Sequence, residues 1–348
     1  MKKKTLSKEE MILFARQLAL AIQSDISLTQ ALSLIAEKSD HEELKKVLVD
    51  IVNQLHEGKP FSEAISLHEE YLSSFFVQMV VIGEESGTLP DTLTQIAASY
   101  EKQIESSNKM KAAVTYPIIL TALMFGVIVL LVVQVMPMFN DVLRSIGGEL
   151  PPLTKMIMNA SLFLKKYAVL FLGLLLLVFV FFAFYGKTEK GKLFYDRMTL
   201  KLPVVRELTS ALLAARFSRN LGLLIGSGMS LSQAFGLIRP TMNNRYLEEM
   251  IDQGAKELNE GKGLDEVIEG MKLFPWLLMK LFSVAAETGQ MDKALLTAAV
   301  EMEKEVDLRL SKLTTVVEPL LIIILSIIVG VILISVVLPV VNIMNSIG

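Results

Sequence analysis

Two short turns hold the residues best placed for chemistry. Glu85-Ser86-Gly87 recurs as Glu287-Thr288-Gly289. A carboxylate beside a glycine turn has two uses. It can accept backbone hydrogen bonds at a helix end, with Gly87 and Gly289 supplying the left-handed cap. It can also be an acidic contact for a partner or a divalent ion. Both readings stand for Glu85 and Glu287. Arg16 recurs as Arg219 within an otherwise apolar helix face, which predicts an ion pair with one of these glutamates inside each copy. Recurrence within one chain points to common descent of the copies and says nothing of catalysis.

Other chemistries find little support. Gly-Lys occurs at Gly58, Gly186, Gly191 and Gly261, but none combines the upstream glycine and following Ser/Thr of a phosphate-binding loop. His41, His56 and His68 fall in the first copy alone, lack helical ligand spacing, and are expected to be solvated surface residues. With no cysteine, disulfides, thiol catalysis and cysteine-based zinc sites are excluded. A net charge of −3 gives no electrostatic case for nucleic acid. Neither a catalytic set nor a cofactor site is read here, and the chain is expected not to be an enzyme.

The elements that position these turns form a repeat. From Phe14 the chain reads FARQLALAIQSDISLTQALSLI, and from Phe217 it reads FSRNLGLLIGSGMSLSQAFGLI, with 12 of 22 positions identical at an offset of 203. The match continues through Gly58-Lys59 and Gly261-Lys262, where a third helix is predicted to end. After a one-residue deletion Leu93 matches Leu295, Glu101 matches Glu303, Pro117 matches Pro319 and Pro137 matches Pro339. Apolar residues recur at three- and four-residue spacing with no strand-like alternation, so the polar regions are predicted to be helical. Ser7 with Glu10 predicts a capping box, and Ser27 with Gln30 and Ser230 with Gln233 predict the same start for the second helix of each copy. The helix from Asp91 to Lys111 has no breaker and is expected to run on, with proline bending the chain at the entrance of the following apolar run.

Three windows lack charge: 117–136, 168–185 and 319–338. About 20 residues at about 1.5 Å per residue span roughly 30 Å, the hydrocarbon thickness of a bilayer. The fold class read from this pattern is an all-α membrane protein. It has two homologous helical domains (6–111 and 209–315), three transmembrane helices, and an extracytoplasmic loop over 137–166. Lys2, Lys3 and Lys4 precede an amphipathic segment, so no cleaved leader is expected. Basic residues flanking the spans (Lys109 and Lys111, then Lys187 to Lys201, then Arg309 and Lys312) put the N-terminus and both polar domains inside and the C-terminus outside. The middle span belongs to neither copy; it returns the chain so that both copies face the same side.

Taken in order, F-x-R-x-L-x-x-L/A-I, the glycine/serine turn, S-L-x-Q-A, G-K-x-[FL]-x-E, the E-[ST]-G turn and the proline-led span are each present twice. The sequence therefore resembles the type II secretion system F domain family, over about Leu6 to Leu338. That resemblance implies a cytoplasmic bundle of about six helices, occurring twice, in a platform protein of a type II secretion, type IV pilus or competence machine. It also implies partners: a hexameric cytoplasmic assembly ATPase, pilin or pseudopilin subunits, other inner-membrane assembly proteins, and a second copy of the chain. Many secretion and pilus members begin with an extra polar segment. This chain starts almost directly at its first helix, a form similar to Gram-positive competence-type members. The repeat signature is Arg16, Gly58, Gly87 and Pro117 with Arg219, Gly261, Gly289 and Pro319. A small-solute transporter or permease subunit is the alternative, although the spans carry no ionisable residue inside.

Overall fold

A computed structural model describes residues 5–135, residues 188–347 and scattered positions between 137 and 186. Lys2 to Lys4, most of the predicted loop over 137–166 and 8 of the 18 residues of the predicted span over 168–185 lie outside the described residues. Among those described, the secondary structure is helical, with no strand.

The first copy begins with α1 (Lys8–Gln23), α2 (Leu28–Lys38) and α3 (Glu42–His56). Ser7 opens α1 with the predicted capping box, its Oγ accepting from the Glu10 amide while the Glu10 carboxylate accepts from the Ser7 amide at 2.9 Å. Met11, Phe14, Ala15 and Leu18 form the buried stripe of α1, the i, i+3, i+4, i+7 pattern of a helix packed on one face. Phe14 stacks on Phe76 at 5.7 Å between ring centroids. Two short helices, α4 (Phe61–Ser66) and α5 (Glu69–Leu72), lead to α6 (Ser74–Glu85). The long α7 (Leu89–Leu130) then runs without interruption from the polar segment into the first apolar window. Pro117 sits inside it, so the proline does not break the helix.

After α8 (Glu189–Thr199), the second copy follows the same order. It comprises α9 (Pro203–Gly226), α10 (Leu231–Ile238), α11 (Arg245–Asn259), α12 (Leu264–Met271), α13 (Trp276–Thr288) and the long α14 (Met291–Ile347). Helix ends fall where the repeat predicts. Gly58 and Gly261 follow the third helix of each copy at φ 86° and 95°, and Gly87 and Gly289 follow the next-to-last at 71° and 68°. Glycine has no Cβ to oppose this left-handed backbone. The first turn differs between copies: Asp25 takes φ 61° where its counterpart Gly228 takes 92°. Ser27 Oγ accepts from the Gln30 amide as expected. Ser230 makes no such cap and instead donates to Gln233 Oε1 at 2.7 Å.

The chain divides into two compact units. One comprises residues up to Lys109 with Lys192–Leu308; the other comprises Met110–Gly191 and Arg309–Gly348. The first unit holds the polar part of both copies, and its buried side chains join in one cluster that includes Phe14, Leu93, Phe217 and Leu295. In the second unit, the Tyr116 hydroxyl donates to Glu318 Oε1 at 3.1 Å. These two residues stand at equivalent positions of the repeat. Among the described residues, two helices are long and apolar enough to cross a membrane, within Leu89–Val135 and Met291–Ile334.

Candidate functional site

The arginines find carboxylates in both copies, but not the predicted ones. Arg16 pairs with Glu101 at 2.7 Å and Arg219 with Glu303 at 2.6 Å. Glu101 and Glu303 are equivalent residues one helix beyond the Glu-Ser/Thr-Gly turn, on α7 and α14. The first helix of each copy lies along the last, and this brings the arginine to the long helix and away from the turn. The two pairs differ in environment. Arg16 and Glu101 side chains are 62% and 37% exposed, against 18% and 20% for Arg219 and Glu303.

Glu85 and Glu287 are both exposed and are not brought together with other ligands. Among the described residues no group of three or more His, Asp or Glu could hold a metal ion. Backbone hydrogen bonds to a carboxylate here are made by its neighbour, and at the start of another helix. Glu84 accepts from the backbone amides of Phe61 at 2.9 Å and Ser62 at 2.5 Å, closing the start of α4 from 22 or 23 residues away in sequence. These are orphan donors of a helix N-terminus, where a carboxylate also meets the favourable end of the helix dipole. The second copy has Ala286 at the matching place, so the contact is not repeated.

Two histidines are structural, against the expectation of solvated side chains. His68 Nε2 lies 2.9 Å from Asp50 Oδ2, which also accepts from Gln54 at 2.9 Å. The hydrogen bond from His68 is the main reason that the Asp50 carboxyl is held below the usual carboxylate range. His41 caps α3 by accepting from the Leu44 amide through Nδ1 and lies 3.2 Å from the Tyr71 hydroxyl. His56 is exposed as expected.

What the fold does assemble is a seam between copies. Ser99 on α7 donates to Asn220 Oδ1 on α9 at 3.0 Å, with both residues buried, and Asn220 Nδ2 donates onward to Thr241 at 2.8 Å. Lower on α7, Lys109 reaches Asp307 of α14 at 2.7 Å. Lys109 also pairs with Glu105, the repeat counterpart of Asp307, at 3.0 Å. Beside the seam, α6, the turn after α9, and α10 and α11 leave an open groove of about 840 Å³. Its walls carry Gln78, Ile82 and Glu85 from the first copy and Met229, Gln233 and Leu237 from the second. Glu85 thus stands at a groove between copies. The groove mixes amide, hydroxyl and apolar groups around one carboxylate, a surface suited to holding a polypeptide. Ser99 and Asn220 carry no repeat signal, since their counterparts are Glu301 and Gln17, and the sequence pattern could not flag them.

The family Type II secretion system (T2SS), protein F matches the chain twice, over residues 14–137 and 217–339. A type IV pilus assembly protein PilC of Thermus thermophilus is 32% identical over 98% of this chain and 84% of its own length. PilC of Myxococcus xanthus is 32% identical over 97% of this chain and 81% of its own. A type II secretion system protein F of Aeromonas hydrophila is 25% identical over 98% and 88%. Two family matches that together take in both copies, and likeness along nearly the whole length of named members, establish that this chain belongs to the type II secretion system protein F family.

Proposed function

We propose that the chain is the platform protein of a type IV pilus or type II secretion machine, set in the cytoplasmic membrane. There it couples a cytoplasmic assembly ATPase to the insertion of pilin-like subunits. The observation that carries this reading is the end-to-end likeness to proteins named for pilus assembly and type II secretion, with both copies included. The apolar stretches of α7 and α14 support membrane residence. We read the polar segments 6–111 and 209–315 as cytoplasmic domains of about six helices each, and 117–136, 168–185 and 319–338 as spans. On this reading 137–166 is the extracytoplasmic loop. The N-terminus is inside and the C-terminus outside, from the distribution of lysine and arginine.

The protein works here without an active site of its own. It carries no nucleotide-binding motif, so the work it transmits comes from an ATPase partner. Glu85 and Glu287 serve as docking contacts at the ends of their helices. Deletion of the gene is expected to abolish surface filaments or pseudopilus-dependent secretion while solute uptake persists. Co-purification with an assembly ATPase and a prepilin-like protein is the direct check. Loss of uptake of a solute with filaments intact would favour the transporter alternative instead.

A further inference from the structure

Between the proposed span over 168–185 and the second polar segment, α8 carries an apolar stripe that is left uncovered. Phe194 and Met198, spaced i and i+4, are 50% and 41% exposed, and Leu202 just past the helix end is 48% exposed. The other side of the helix is engaged. Leu200, following its last residue, is buried in the core, and Asp196 accepts from the Arg245 amide at the start of α11 at 2.7 Å. Arg197 lies over the Tyr246 ring, 5.7 Å from its centroid. One side of α8 is thus held by α11, and the stripe faces away.

The start of α8 is tied to the end of the proposed span. Thr188 Oγ1 donates to the Tyr185 carbonyl at 2.7 Å and accepts from the Gly191 amide at 3.0 Å. Any side chain at Gly191 would collide with the Tyr185 carbonyl, so glycine lets the first turn of α8 lie directly against it. Gly191, Phe194 and Met198 are spaced i, i+3, i+7, which puts the stripe on the side of α8 that meets Tyr185. The chain from Tyr185 to Glu189 reaches at most about 14 Å. If Tyr185 ends a span, α8 therefore begins near the headgroups.

Charge names the occupant of the stripe. Residues 187–206 hold six basic and two acidic residues, in a chain whose net charge is −3. Lys190, Lys192 and Lys201 are exposed, while Asp196 is turned inward to Arg245. Exposed apolar residues flanked by lysine are the pattern of a helix lying in the plane of a membrane surface, and anionic lipid strengthens its hold. We propose that α8 is such an interfacial helix. Phe194 and Met198 enter the boundary between headgroups and acyl chains, and Lys190, Lys192 and Lys201 bind the headgroup phosphates of anionic phospholipid. The occupant is the lipid surface itself, which α8 ties to the second polar segment. This rests on the reading of 168–185 as a span.

The cysteine-free chain allows a direct test. The full-length protein, in nanodiscs of phosphatidylcholine and phosphatidylglycerol, carries a single nitroxide at Phe194→Cys, Met198→Cys, Leu174→Cys or Gln253→Cys. All four positions are exposed, so the fold should persist, checked by an unchanged melting temperature. Leu174 reports on the span and Gln253 of α11 on water. Oxygen collides preferentially with labels in lipid, and a nickel chelate with labels in water. The oxygen-to-nickel ratio at 194 and 198 is expected to exceed that at 253 by about threefold or more. In pure phosphatidylcholine, or with Lys190→Gln, Lys192→Gln and Lys201→Gln combined, it should fall by about half while position 174 is unmoved. Water exposure at 174, 194 and 198 alike would remove the span and the interfacial helix together. Lipid at 174 with water at 194 and 198 overturns the interfacial helix alone, as does a ratio indifferent to phosphatidylglycerol. Shielding of 194 and 198 from both reagents would mean that protein covers the stripe, and overturns it too.

Discussion

Ser99 in the first copy and Asn220 in the second share a hydrogen bond of 3.0 Å that neither residue exposes to solvent. Ser99→Ala leaves the Asn220 oxygen buried without this donor, which costs about 1–3 kcal/mol. Asn220→Ala should cost at least as much, because the Thr241 contact goes too. Thermal unfolding of the detergent-solubilised protein measures both. A Ser99→Ala protein melting with the parent would show that the seam does not depend on this bond.

The two arginine–glutamate pairs are equivalent in sequence and unequal in surroundings. Arg219 donates through both Nε and Nη2 to Glu303, at 2.8 and 2.6 Å, in a half-buried setting. Charged hydrogen bonds in such a place are worth about 1.5–3 kcal/mol, whereas the exposed Arg16–Glu101 pair should be worth at most about 1 kcal/mol. Double-mutant cycles on the two pairs give the coupling energies. Equal couplings would contradict the assigned burial.

Glu84→Gln should loosen the start of α4. Its carboxylate is the acceptor for both the Phe61 and Ser62 amides, and losing the charge at these donors is expected to cost about 1 kcal/mol. Hydrogen exchange at amides 61 and 62 should speed up, with exchange in α12, which has no such contact, unchanged. Faster exchange in both helices would mean a general loss of stability.

Half-buried Lys8 donates to Gln103 at 2.5 Å, and burial, aided by nearby Arg216, lowers its pKa to about 8. The unfolded chain holds the proton to about 10.4. Between these values the unfolded state binds more protons, so stability should rise with pH. Tyr71 and Tyr100, pushed up to about 12, oppose this only above the unfolded tyrosine value of about 10. The rise is therefore expected between pH 8 and 10 and should flatten in Lys8→Gln. A Lys8→Gln profile superimposable on the parent's would assign it to other groups.

Orientation is open to cysteine labelling, as the chain has none of its own. Leu153→Cys should react with an impermeant thiol reagent in intact cells, and Gln290→Cys only after lysis. The reverse pattern would invert the proposed topology.

Those parts of the fold set by local backbone demands were legible from the residues. Gly58, Gly87, Gly261 and Gly289 mark helix ends because each takes positive φ, and the Ser7–Glu10 box marks a start because two side chains there answer two orphan amides. The uninterrupted course of α7 followed from the lack of a breaker before Pro117. Pairings between elements were harder to read. Arg16 was expected to reach Glu85 in the turn; it reaches Glu101 instead because α1 lies along α7. Glu84 rather than Glu85 meets backbone amides, those of α4, because the helical screw turns the earlier residue toward Phe61. His68 reads as an isolated surface residue until α3 brings Asp50 within 2.9 Å. The seam was invisible for a different reason. It is built from residues that the repeat does not share, and the signal that revealed the two copies is silent where they meet.

That silence has an evolutionary side. When identical separate chains assemble, every position serves on both partners at once, and a change that suits one side is imposed on the other. Fusing two copies into one gene removes the constraint. Serine at 99 and glutamate at 301, asparagine at 220 and glutamine at 17, have parted company, and one of each pair serves the internal seam. A duplicated chain of this kind can fit one copy to the internal contact without imposing the same change on the other.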